Sequence, residues 1–179
     1  MNDERYSQIG QELFVLNVLK EKQNGLFLDI GCSEPVTINN TYLLEKKYNW
    51  SGISIDFDPQ YASKWQETRK NKFTLCDAFL VDYGELLDNL LKETGRDRID
   101  YLSMDLEPPS LTLDVLYKIP IDKYRFSVIT YEHDYYRGNE NILEKSREYF
   151  IKNNYSLVGS NIGNQEDWWI DSTFNYNNI

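Results

Sequence analysis

Cysteine is scarce: Cys32 and Cys76 are the only two among 179 residues, and they form no CxxC pair. Their placement argues against a zinc-ligand set or a disulfide framework and makes a reducing compartment the expectation. Basic residues are in deficit, 19 Lys and Arg against 29 Asp and Glu, for a net charge of −10. That balance argues against a nucleic-acid polyanion as partner. No apolar run approaches the ~20 residues that cross a bilayer, and the opening MNDERYS is charged where a signal peptide is apolar. The expectation is a cytoplasmic protein with neither membrane nor nucleic acid as partner. Nothing in the pattern sets an oligomeric state. Repeats, low-complexity tracts and linkers are missing too. Residues 1–179 therefore read as one domain, an N-terminal helical segment (1–24) ahead of a core (25–179).

What is present is a globular composition, 41% hydrophobic and 27% charged. It is organised around residues 26–31, LFLDIG. A short apolar run closed by an acid and a glycine is the pattern of a buried parallel strand that delivers its C-terminal end to a ligand. Ile9, Leu13, Leu16 and Leu19 predict a helix over 7–21. A helix at 41–50 and a strand at 53–57 follow, and Asp58-Pro59 supplies an N-cap with proline at the first helical position. Strands at 72–76, 100–104 and 126–131 alternate with helices. Those helices are marked by Leu86, Leu87, Leu90 and Leu91, by 110–116, and by Ile142, Leu143, Ser146, Tyr149 and Phe150. Two closing strands, 155–159 and 168–170, flank a loop containing Gly163. The alternation predicts an α/β class, a Rossmann-like, doubly wound, mostly parallel sheet with a C-terminal antiparallel strand pair.

In such sheets ligands sit beyond the strand C-termini at the switch point. The first three strands end at Asp29, Asp56 and Asp77. Asp56 is placed to accept from both hydroxyls of a ribose. Asp77, beside Ala78, is placed for an adenine amino group, and Asp29, Gly31 and Ser33 form the loop half of the site. The GxGxxG turn that aims amides at pyrophosphate is missing, and Glu34 would repel phosphate. An adenosine without phosphates fits, so the expected cofactor is S-adenosyl-L-methionine. Cys32 has no neighbouring cation in sequence to activate its thiol and reads as a small loop residue.

The segments SQIGQELFVL, FLDIGCSEPVTINNTYLLEKKYNWSGISID, DYLSMDLEPPSLTLDVL, YRFSVITYEHDY and EDWWID together resemble the FkbM-type methyltransferases, over about residues 7–171. The resemblance implies a class I S-adenosylmethionine-dependent enzyme that O-methylates a saccharide or related small acceptor. Gln8 and Gln11 match the family's N-terminal motif, which implies an amide, that of Gln11 above all, at the cofactor or a substrate hydroxyl. Two departures stand out. Pro35 follows Glu34 where a second glycine is usual, and Pro108-Pro109 follow the DxE segment where glycine is usual. They leave a catalytically impaired cofactor- or glycan-binding module as an alternative. A nucleic-acid amino-methyltransferase is the more distant one. DLEPPS echoes the [DN]PP[YF] loop of such enzymes, but with Leu106-Glu107 before the prolines and Ser110 after.

Methyl transfer to a hydroxyl requires alignment and removal of a proton. His133, the only histidine, follows the fifth strand beside Glu132, and Asp105 and Glu107 follow the fourth. The expectation is His133 as general base, with Asp105 or Glu107 orienting it or the substrate. The rival, less favoured, makes Asp105, Glu107, Glu132 and His133 ligands of a divalent metal. Glu132, Tyr135, Tyr136 and Arg137, with Asn139 and Trp168 or Trp169, are the candidates for binding the acceptor.

Overall fold

The computed structural model describes residues 4–178. Along the chain, α1 (Gln11–Val18) precedes β1 (Leu26–Ile30), and α2 (Tyr42–Tyr48), β2 (Ser51–Asp56), α3 (Ala62–Thr68) and β3 (Lys72–Leu75) follow. Next come α4 (Tyr83–Thr94), β4 (Ile99–Met104), α5 (Pro109–Lys118) and β5 (Phe126–Glu132), then α6 (Glu140–Lys152), β6 (Tyr155–Ile162) and β7 (Glu166–Asp171). The strands form one sheet in the order β3-β2-β1-β4-β5-β7-β6. Pairing is parallel from β3 to β5 and antiparallel at β5–β7 and β7–β6. This is the doubly wound sheet expected from the alternation, with the closing strand pair on one edge. The later strand of that pair takes the inner place.

Burial on both faces explains the centre of the sheet. β1, β4 and β5 are buried at every position, as parallel strands covered by helices must be. Leu26, Leu28 and Ile30 pack with Leu87, Val115, Leu116 and Phe150 on the α4–α6 face. Phe27 packs with Val15, Leu16, Leu44 and Tyr48 on the α1–α2 face. Strand alternation puts Asp29 on the Phe27 side. The chain runs outward from β1 through β2 to β3, then returns to the other side of β1 as β4. A crevice therefore opens between the C-terminal ends of β1 and β4.

Helix ends follow local capping chemistry, and α1 is shorter than its spacing predicts. The Glu12 carboxylate turns back to accept the N–H groups of Tyr6 (2.6 Å) and Ser7 (2.9 Å) and the Ser7 hydroxyl. Residues 7–10 are thereby a hooked turn, and Lys20 and Glu21 close the other end in the left-handed region. Asp58 caps as expected, accepting from the Gln60 N–H at 3.0 Å, but the turn it starts is a 3-10 turn, Pro59–Tyr61, that leads into α3. Asp82 caps α4 through the Glu85 N–H at 3.0 Å. Among the described residues, no helix is long and apolar enough to cross a membrane.

Candidate functional site

A cavity of about 490 Å³ occupies the crevice, walled by Asp29, Gly31, Ser33, Asp56, Asp105 and Glu107, with Ile38, Phe57, Leu106 and Leu111 as its apolar side. Its size suits a small-molecule site. A cavity of about 500 Å³ at the opposite end of the strands, between β2, β3 and α4, contains none of the strand-end acids.

The loop after β1 is built to approach closely. Gly31 has φ +81°, and a methyl group there would overlap the Asp105 carbonyl oxygen. Its N–H and that of Cys32 donate to the Ile55 carbonyl, at 2.9 and 3.2 Å. The Ser33 N–H donates to Asp56 Oδ2 (2.8 Å), and the Asp58 N–H donates to Asp56 Oδ1 (2.9 Å). One carboxylate thus ties down both loops of the cavity. Burial and the charges of Asp29 and Asp56 push the Cys32 thiol up, so it stays protonated. This agrees with its reading as a loop residue.

Arg69, which no sequence motif singles out, holds the same loop from behind. Its guanidinium is buried and donates to the Pro35 carbonyl (2.9 Å), Asn39 Oδ1 (3.0 Å), Thr41 Oγ1 (3.0 Å) and Glu45 Oε2 (2.6 Å). Thr41 in turn donates to Asp29 Oδ2 at 2.9 Å. The Trp65 ring lies against the guanidinium at 4.4 Å.

Several expected site residues stand elsewhere. The Asp77 carboxylate accepts from the Phe79 N–H (2.9 Å) to cap a 3-10 turn that begins at Ala78, and neither residue is on the cavity wall. Gln11 donates from Nε2 to Glu166 Oε1 at 2.5 Å, bracing α1 against β7 away from the cavity. Gln8 is exposed. His133 is fully buried and also absent from the cavity wall. Its Nδ1 accepts from the Tyr135 N–H (3.2 Å), and Nε2 lies 3.6 Å from Asp167 Oδ1. Trp169 is core, beside Phe150 at 4.8 Å, whereas Trp168 is partly exposed and stacks on Phe14 at 4.6 Å. The hypothetical metal ligands diverge: Glu107 turns outward to Arg137 and His133 inward to Asp167. Among the described residues, no group of three His, Cys, Asp or Glu side chains is arranged to hold a metal ion.

Carboxylates instead converge on Asp105. Glu132 lies within hydrogen-bond reach of it, Asp134 lies beside Glu132, and Glu166 pairs across from Glu132 in the β5–β7 register. Burial, the Asp105 contact and the surrounding charges push Glu132 far above the usual carboxylate range, which favours its protonated form beside Asp105. Arg137 closes this region from outside. Its Nη1 lies 2.8 and 2.9 Å from the Glu107 oxygens and 3.1 Å from Asp134 Oδ2, and its Nε donates to the Tyr136 hydroxyl at 2.8 Å. Tyr135, Tyr136 and Arg137 form one 3-10 turn at that mouth.

No protein-family profile matches the chain, and no curated protein matches it. Solved structures do. A provisionally named rRNA methylase from Clostridium thermocellum superposes with a TM-score of 0.62 at 12% identity, over 96% of this chain and 99% of that one. The chain has the Rossmann-like methyltransferase fold. An rRNA methylase from Streptococcus thermophilus gives 0.52 at 13% identity, covering 94% and 96% of the two chains. The human methyltransferase 10 domain containing protein gives 0.52 at 12%, covering 93% and 83%.

The buried acids make stability depend on pH in two opposed ways. Burial raises Asp29 to about 6 and Glu166 to about 7. The folded protein keeps protons there that the unfolded chain releases near pH 4, so stability falls as pH rises from about 4 to 7. Burial also pushes Asp167 and Asp171 upward, but hydrogen bonds outweigh it and hold both at about 2. The donors are Arg147 and Asn161 for Asp167, and Arg125, Thr173 and Arg98 for Asp171. Their contribution is complete above about pH 4 and disappears as pH falls toward 2. Thermal unfolding is expected to show a maximum at about pH 4–5 and a progressive loss of stability from there to about pH 7.5. Asp29→Asn should flatten the alkaline side of that profile.

Proposed function

We propose that the protein is an S-adenosyl-L-methionine-dependent methyltransferase that methylates a hydroxyl of a saccharide or related small acceptor. Asp56 is the observation that carries the cofactor assignment. Its carboxylate ends β2 at the switch point, on the cavity wall, and retains acceptor capacity for ribose hydroxyls beyond the two N–H groups it already binds. Gly31 lets the loop after β1 lie against the backbone of Asp105, which brings the two walls of the cavity together. Phe57 and Ile38, 70% and 68% exposed, offer apolar surface to a purine. The names of the structural neighbours support methyl transfer, and the FkbM-type resemblance supports a hydroxyl acceptor.

When bound, the cofactor supplies a methyl group already activated by its sulfonium. The chain's own part is to align the acceptor and take its proton. We assign the proton to Asp105, the carboxylate on the cavity wall, with protonated Glu132 as its hydrogen-bonding support. Burial raises Asp105 toward the basicity that task requires, although the Glu132 contact opposes it. His133, sealed against Asp167, is left as a positioning residue for the end of β5. Glu107, Tyr135, Tyr136 and Arg137 frame the entry for the acceptor.

Isothermal calorimetry with S-adenosylhomocysteine tests the cofactor site. Wild type should bind, and Asp56→Ala should weaken binding by roughly 100-fold or more, the worth of two hydrogen bonds to a charged group. Undiminished binding by the variant would sink the assignment. The rRNA-methylase names of two neighbours favour RNA as a second acceptor class, against which the acidic cavity weighs. A radiolabelled methyl-transfer panel of saccharides, hydroxy metabolites and an rRNA fragment separates the two. Cofactor binding without turnover on that panel would favour a binding module.

A further inference from the structure

Charge in this molecule is segregated along the strand axis. Asp29, Asp56, Asp105 and Glu107 line the cavity at the strand C-termini. Residues 19–25, 45–50, 69–71 and 92–98 lead into β1, β2, β3 and β4 at the other end. They hold nine of the nineteen lysines and arginines but four of the twenty-nine acids. A protein of net charge −10 therefore presents one positive end.

That end is concave. A cavity of about 480 Å³ lies there, with Lys46, Lys70 and Arg96 on its wall beside Asn24, Ser51 and Glu45. The carboxylate among them is already matched. Glu45 Oε2 accepts from Arg69 Nε and Asn71 Nδ2, both at 2.6 Å, and Oε1 accepts from the Lys70 N–H at 2.6 Å. The cations are in surplus. Buried Asp100 meets both Lys22 (2.7 Å) and Arg96 (3.0 Å), so two positive charges share one negative. Lys70 is exposed and has no ion pair among the described residues. Lys46 lies over the Tyr6 and Tyr42 rings at 5.4 and 5.2 Å and is 3.9 Å from Glu4. Both ends of that ion pair are about half exposed, so it offsets little of the charge.

The surplus selects the kind of ligand. A phosphoryl group brings roughly two negative charges and three acceptor oxygens, which three convergent cations can share. A monocarboxylate leaves part of the charge uncompensated. A nucleic-acid strand needs a cationic track that continues along its backbone. Here the track stops at Lys72, because Asp82, Glu85 and Glu93 line the adjoining cavity between β2, β3 and α4.

We infer that this basic cavity is a second ligand site, one that takes the phosphoryl group of a small phosphate ester or diphosphate. It lies at the opposite end of the strands from the proposed cofactor site and does not depend on the methyltransferase reading.

Calorimetry on the full chain at low salt, with pyrophosphate, ribose 5-phosphate and acetate as probes, tests it. At least one phosphate probe should bind ~10-fold or more tightly than acetate, and the tighter of the two tells a diphosphate from an ester. Lys46→Gln/Lys70→Gln should lose at least ~10-fold of that affinity. Lys145→Gln/Lys152→Gln removes the same charge from exposed positions of α6 and should lose less than ~2-fold. Circular dichroism melts establish that both variants fold. In amide NMR spectra the bound probe should shift Ser51 and Asn71 and leave Gly31 and Ser33 in place. The inference is overturned if acetate binds as well as the phosphates, or if neither phosphate binds. Equal loss in the α6 variant, or shifts centred on Gly31 and Ser33, overturns it as well. A single-stranded oligoribonucleotide that outcompetes both probes, and is itself weakened by Lys46→Gln/Lys70→Gln, would replace the small ligand with a nucleic acid.

Discussion

Arg69→Met is expected to destabilise the protein by about 3–5 kcal/mol, the cost of breaking a buried, hydrogen-bonded ion pair from one side. At about 2–4 °C per kcal/mol for a chain of this size, the midpoint of thermal unfolding should fall by roughly 6–20 °C. The size of the effect follows from what the guanidinium holds. Four acceptors on the loop after β1 and on α2 lose their donor together, and Thr41, which orients Asp29, loses its support. Arg69→Lys should recover little, because an ammonium cannot reproduce a planar fork that reaches four acceptors at once. Affinity for S-adenosylhomocysteine should fall in both variants even well below their melting temperatures. Calorimetry on material shown to be folded by circular dichroism checks this, and wild-type affinity in Arg69→Met would refute the loop-holding role.

Gly31→Ala is expected to cost about 2–5 kcal/mol and to abolish cofactor binding. Two penalties add. The left-handed backbone is unfavourable for alanine by about 1–2 kcal/mol, and the new methyl group meets a backbone oxygen that cannot swing aside. Relief requires separating the ends of β1 and β4, which are the floor of the cavity. Gly138→Ala provides the comparison. Its φ is +79°, yet nothing lies within 4 Å of the added methyl group, so it should show the backbone penalty alone. Equal unfolding free energies for the two variants would show that the contact with Asp105 is unimportant.

The fold was legible because its determinants are local. Apolar runs closed by acids, Asp58-Pro59, and the stripe on α4 each sit within one element. The cavity wall was legible where the same rule applied, at Asp29, Gly31, Ser33, Asp56, Asp105 and Glu107. It was not legible where a side chain's partner lies far along the chain. Gln11 meets Glu166, 155 positions away. His133 faces Asp167 because β7 slips between β5 and β6, and nothing in the tail's composition announces which of two closing strands takes the inner place. Asp77 looked equivalent to Asp56, but it caps the turn after β3 and does not reach the cavity wall. Arg69 was one cation among several in a polar stretch until packing against Trp65 and the loop after β1 distinguished it.

The inner position of β7 has a bearing on how the molecule is made. On a translating ribosome, β1 to β5 emerge and can pair while the neighbour destined for the free side of β5 is still being synthesised. The cradle at β1, β2 and β4 therefore matures first. The acids buried behind Asp105, completed by Glu166, arrive only when the final hairpin threads its second arm against β5. Nascent chains halted before residue 166 would have the β1, β2 and β4 walls of the cavity and lack the acid that β7 adds behind Asp105.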